Sequence, residues 1–75
     1  MKSIIQFHIY KSESHYVAEG TDLAIVTQGK TLDELMYNLK EALELHLEGE
    51  NLSDLGFSQK PFVLTNFEFP APVHA

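Results

Sequence analysis

Between Ile4 and Tyr10 the chain alternates, with Ile5, Phe7 and Ile9 on one side and Ile4, Gln6, His8 and Tyr10 on the other. A period of two is that of a pleated strand. Polar Lys11 to Ser14 makes a turn, His15 to Gly20 resumes as a second strand, Thr21-Asp22 turns again, and aliphatic Leu23 to Gln28 reads as a third strand. Three strands joined by short links predict an antiparallel meander. Pairing Tyr10 with His15 and Gly20 with Leu23 assigns a face to every strand residue, because side chains alternate along a strand. One face collects Ile5, Phe7, Ile9, Tyr16, Ala18, Leu23 and Ile25. The other carries Ile4, Gln6, His8, Tyr10, His15, Val17, Glu19, Ala24, Val26 and Gln28, too apolar a set for a purely solvated surface.

The period changes after Gly29-Lys30. Thr31, followed three residues later by Glu34, forms a capping box in which the threonine hydroxyl accepts from the Glu34 N–H and the carboxylate reaches back. At about 100° per residue, Leu32, Leu35, Met36, Leu39, Ala42, Leu43, His46 and Leu47 fall within an arc of roughly 140°, the pattern of a helix lying on a sheet. The opposite side carries Asp33, Glu34, Glu41, Glu44 and Glu48 with Tyr37 and Leu45 among them, and Gly49 caps the end. Glu50 to Lys60 reads as a loop or short helical turn. Phe62 to Phe69 is a last strand, with Val63, Thr65, Phe67 and Phe69 inward and Phe62, Leu64, Asn66 and Glu68 outward.

These elements predict an α+β domain of order β-β-β-α-β over residues 1–69, followed by a proline-containing tail at 70–75. A right-handed crossover through the helix returns the fourth strand parallel to the first, giving the spatial order 3-2-1-4 with one helix on one sheet face. The uncovered face, with Ile4, Tyr10, Val17 and Val26, is then the expected contact in a dimer or higher homo-oligomer.

Composition narrows the function. Seventy-five residues make one domain, which buries only about 60% of its unfolded surface and gains from self-association. There is no cysteine, so no disulfide and no thiolate metal site, and an intracellular, cytoplasmic home is the expectation. Strand-like alternation after Lys2 is not a signal peptide, and no apolar run is long enough for a membrane span. With five lysines, no arginine, eleven carboxylates and a net charge of -6, the chain would repel nucleic acid and attract a basic protein.

Catalytic chemistry finds little to stand on. His8 and His15 share the outer face but lack the further converging ligands a metal centre needs. His46 suits a half-buried place near the helix C-terminus, where its charged form favours the dipole. The serines sit in turns, no glycine-rich phosphate loop occurs, and the carboxylates at Glu41, Glu44 and Glu48 lie on a convex face instead of in a cleft. No catalytic residue, no cofactor and no metal ligand is expected.

The run Tyr16-Val17-Ala18-Glu19-Gly20-Thr21-Asp22-Leu23, followed by Thr27-Gln28-Gly29-Lys30-Thr31-Leu32-Asp33-Glu34-Leu35 and Asn38-Leu39-Lys40-Glu41-Ala42-Leu43-Glu44-Leu45, resembles the HicB antitoxin family over roughly residues 4 to 48. The resemblance implies a pared-down ribonuclease H-like fold and the neutralisation of HicA, a small basic RNA-cleaving toxin. Relatives commonly carry Pro and Gly around the second loop and an Ala in the place of Leu35. Many also append a DNA-binding domain, which the six residues after Phe69 do not supply, so the likeness is to stand-alone members. The expected function is a non-catalytic antitoxin that contacts its toxin through Tyr37, Glu41, Glu44, Leu45 and Glu48. The alternative is an orphan oligomeric domain that keeps the fold without a toxin.

Overall fold

The computed structural model describes residues 1–73. Five elements follow one another: β1 (Lys2–Lys11), β2 (Tyr16–Gly20), β3 (Val26–Gly29), α1 (Leu32–Leu47) and β4 (Phe57–Glu68). They form one four-stranded mixed sheet of order β3-β2-β1-β4, in which β1 runs antiparallel to β2 and parallel to β4, and β2 antiparallel to β3. The helix is the crossover between β3 and β4, so the α+β architecture and strand order match the sequence expectation.

The registers differ from the expected ones by two residues. Tyr10 pairs with Val17 instead of His15, and Glu19 pairs with Val26. The physical reason lies in the loops. Thr21 to Ile25 does not extend as a strand but closes a wide turn, in which Gly20 N donates to Ile25 O at 2.8 Å and Ile25 N to Leu23 O at 2.8 Å. Because the shift is even, every side chain stays on its assigned face. Ile5, Phe7, Ile9, Ala18, Leu23 and Ile25 are accordingly all buried, the last two from the turn that replaces the first part of the expected third strand.

Helix formation follows the local chemistry. Thr31 Oγ1 accepts from Glu34 N at 3.1 Å, and Glu34 Oε1 accepts from Lys30 N at 3.3 Å, one residue earlier than a capping box places it. At the other end Gly49 has a φ of 76°, a left-handed conformation that glycine adopts without strain. Leu35, Leu39 and Leu43 point into the core, with Met36, Ala42 and Leu47 partly buried around them. His46 is exposed, not half-buried, and Leu32 is also exposed, so the packed arc is narrower than the apolar pattern.

The helix backbone runs closest to β3 and then to β2, and its side chains reach over to Ile5, Phe7 and Ile9 of β1 in the shared core. Gly29 permits the close approach, since a Cβ there would stand only 2.8 Å from Leu35 Cα. Asn38 fixes the position by donating its side-chain N–H to Gln28 O at 2.8 Å. One helix about 10 Å across cannot roof four strands spaced about 4.8 Å apart.

Residues 50 to 60 divide into two parts. Leu52 to Gly56 form turns closed by bonds such as Phe57 N to Leu52 O at 2.9 Å, whereas Phe57 opens β4 five residues before the expected strand start. Phe57 is buried against the core, and the ladder with β1 is irregular between Lys2↔Phe57 and Ile4↔Phe62, where Pro61 sits. The strand ends at Glu68, so Phe69 lies just beyond it. The described part of the tail has no regular structure, and its last two residues lie outside the described residues.

Candidate functional site

The outward side of α1 carries the first candidate surface. Tyr37 and Leu45 are 64% and 71% exposed, and Glu41, Glu44 and Glu48 are exposed beside them. Residues spaced by three and four lie next to one another on a helix, so these five make one strip: two bulky apolar groups framed by carboxylates. The strip continues onto the sheet. Leu45 and His46 share a depression of about 380 Å³ with Ala42 and with Ala24, Ile25 and Val26. Leu45 and Val26, assigned to separate surfaces by sequence pattern, therefore border the same hollow.

The outer sheet face is less continuous than the pattern implies. Tyr10 and Val17 are direct cross-strand partners and only partly exposed. Val26 pairs with Glu19 and is 70% exposed, while Ile4 lies at the far end of β1 opposite Phe62. Polar groups separate them. Tyr10 donates its hydroxyl proton to Glu19 Oε1 at 2.8 Å, and His8 Nε2 lies 3.2 Å from Glu68 Oε1. The Tyr10 phenol is held above its ordinary value of 10.0, first by that hydrogen bond, then by desolvation and by the Glu19 charge. Tyr10 and Val17 thus belong together, and Ile4 and Val26 stand apart at opposite ends.

His8 and His15 do not converge. His8 pairs with Glu19, whereas His15 precedes β2 and bonds its Nδ1 to Ser14 Oγ at 2.8 Å. Among the described residues no group of three or more His, Cys, Asp or Glu is placed to hold a metal ion.

Strand β4 is apolar and exposed on both sides, on the outer side as the sequence pattern implies and on the inner side against it. Val63 and Phe67, read as inward, are 46% and 40% exposed because the helix stops short of them. Phe62 and Leu64 on the outer side are 77% and 45% exposed. Phe67 lies tilted against Tyr16 and Phe69 at centroid distances of 5.8 Å each, an aromatic row along this end of the sheet. Met36, Leu39, Lys40 and Leu43 meet Val63 and Thr65 across a groove of about 240 Å³. The signal was present in the sequence, since a strand apolar on both faces needs two covering layers and the described residues hold one helix.

No family model, no curated protein and no solved structure matches this chain. Among the described residues no helix is long and apolar enough to cross a membrane.

Proposed function

We propose that the chain is a non-catalytic, HicB-like protein-binding module, an antitoxin that sequesters a small basic HicA-type RNA-cleaving toxin in the cytoplasm. The observation that carries this reading is the exposed strip on α1, where Tyr37 and Leu45 stand among Glu41, Glu44 and Glu48. An aromatic and an aliphatic anchor supply apolar burial, and the surrounding carboxylates attract and orient a cationic surface. With a net charge of -6 the whole molecule adds to that attraction. A toxin that grips RNA through lysine and arginine offers the complementary face, and covering it excludes the phosphate backbone. Self-association as a dimer or higher oligomer belongs to the same reading, with Ile4, Tyr10, Val17 and Val26 as its outer-face contacts.

Titration calorimetry of the purified chain against a HicA-type toxin tests it. Binding that tightens at low salt, and that weakens at least tenfold for the pair Tyr37→Ala and Glu44→Lys, is the expected outcome, because a central aromatic anchor is worth roughly 2 kcal/mol or more. No binding at micromolar concentration, or turnover of RNA by the chain alone, refutes the reading. The second reading, an oligomeric domain of the same fold without a toxin, draws on the exposed apolar residues of β4, which suit self-assembly and need no basic partner.

A further inference from the structure

Strand alternation decides which backbone groups of β3 face away from the sheet. Ile25 O accepts from Gly20 N at 2.8 Å, so in the register with β2 it is Ile25 and Thr27 that turn their N–H and C=O groups toward β2, and Val26 and Gln28 turn theirs to the open edge. Asn38 of α1 donates to Gln28 O at 2.8 Å and so occupies one of these groups. The Val26 N–H, the Val26 C=O and the Gln28 N–H have no partner among the described residues. An edge of this kind is a template for a further strand.

The helix adds a wall beside that edge. Gln28 meets Asn38, and one helical turn further on Ala42, Leu45 and His46 line a hollow with Ala24, Ile25 and Val26. Two strand residues and one helical turn span similar lengths, about 6.6 and 5.4 Å, so the hollow lies next to the open groups of Val26. Side chains on the helix side of an added strand therefore enter the hollow instead of standing in water. Charge selects the occupant. Glu41 and Glu48 flank the exposed Leu45 at four residues before and three after it, and Glu19 is the cross-strand partner of Val26 on the outer face. Lys40, the one lysine of α1, lies on the opposite flank with Val63 and Thr65. A second copy of this chain, with a net charge of -6, has the wrong sign.

We infer that the β3 edge and this hollow take an extended segment of a basic protein partner, which joins the sheet as a fifth strand. The backbone of the segment pairs with Val26 and Gln28. An aliphatic side chain enters the hollow against Ala42 and Leu45, and lysines or arginines at alternate positions point to the outer side, toward Glu19. The inference rests on the reading above for the basic character of the partner, and it specifies backbone pairing as the way that partner docks. It leaves the self-association contacts in place, because the added strand uses the backbone of Val26 and not its side chain on the outer face.

The test uses a short capped peptide of alternating lysine and valine as the probe and reads the full chain by NMR. Saturation with the peptide should slow amide exchange at Val26 and Gln28 about tenfold or more, while the amides already bonded within the sheet change little. The same peptide N-methylated at its lysines keeps its charge but loses the N–H groups, and should bind about threefold to tenfold more weakly. Gln28→Pro removes one outward N–H at an edge position that tolerates proline, and should weaken the unmodified peptide by a similar factor with the exchange of the β2 amides unchanged. No binding at millimolar peptide overturns the proposal. So does binding that leaves Val26 and Gln28 exchanging freely, which is diffuse attraction alone. Protection of these two amides in the chain by itself, lost on dilution, places a second copy at the edge and overturns it too. A toxin that binds in calorimetry while the peptide does not leaves the reading above standing and removes this one, and a peptide held at the edge without toxin binding does the reverse.

Discussion

The two halves of this sheet receive unequal cover. On the β2–β3 side, Ala18, Leu23 and Ile25 lie beneath Leu35, Leu39 and Leu43, and each of the six is buried. On the β1–β4 side, β1 contributes Ile5, Phe7 and Ile9 to that core, but its neighbour exposes Val63 and Phe67 from the same face. Both halves have strand patterning with apolar inward positions. What separates them is the position of one helix, fixed against β3 by Gly29 and Asn38. Burial is thus decided by the supply of covering layers as well as by the pattern of each strand.

Unfolding by urea should reproduce the division. Leu35→Ala removes a fully buried side chain from beneath the helix and should cost about 2 to 5 kcal/mol, enough to leave a domain of this size largely unfolded. Phe62→Ala, at a position 77% exposed, should change the stability of the isolated copy by no more than about 0.5 kcal/mol. Equal costs at the two sites would mean that β4 is already covered in solution, and would break the comparison.

How far the chain could be read without coordinates follows the same line. Alternation from Ile4 to Tyr10 and the capping signal at Thr31 specify local geometry directly, and both survive in the structure. Face assignments held through a wrong register because the error was two residues and side chains alternate every two. The Thr21 to Ile25 turn was illegible: Leu23 and Ile25 are buried and aliphatic, which looks like strand, but their burial comes from a turn closed by backbone bonds. Of the candidate site, the exposure of Tyr37 and Leu45 followed from helical spacing alone. Their continuity with Val26 did not, since it depends on where the helix comes to rest across the sheet. The exposure of Val63 and Phe67 depends on the same placement, although a strand apolar on both faces with one helix to cover it already implied that a layer would be wanting.

A smaller effect sharpens the helix side of the comparison. Thr31→Ala removes the acceptor for Glu34 N and should cost about 1 kcal/mol, with Thr31→Ser retaining most of the stability. Asn38 and Gly29 hold the helix to β3 independently of the cap, so hydrogen exchange should quicken in the first turn of α1 while the core amides of β2 lose only the global increment. Uniform loosening of helix and sheet together would show that the cap, and not the contact with β3, sets the position of α1.

The smallest expected effect lies on the outer face, where Tyr10 of β1 meets Glu19 of β2. The phenol donates its proton to the carboxylate, and ionising it would place two negative charges side by side. Its pKa is therefore raised, so the folded chain holds this proton more tightly than the unfolded one. The contribution to stability is fully present below the unfolded value near 10 and is lost as pH rises through the higher folded value. Carbon NMR of the Tyr10 ring should follow a titration displaced upward, and Glu19→Ala should bring it back towards the ordinary value, since it removes both the acceptor of the hydrogen bond and the neighbouring charge. An unmoved midpoint in Glu19→Ala would mean that the contact is not maintained in solution. The Tyr10–Glu19 link between β1 and β2 would then fall, leaving backbone pairing and the buried face to join the covered half to the uncovered one.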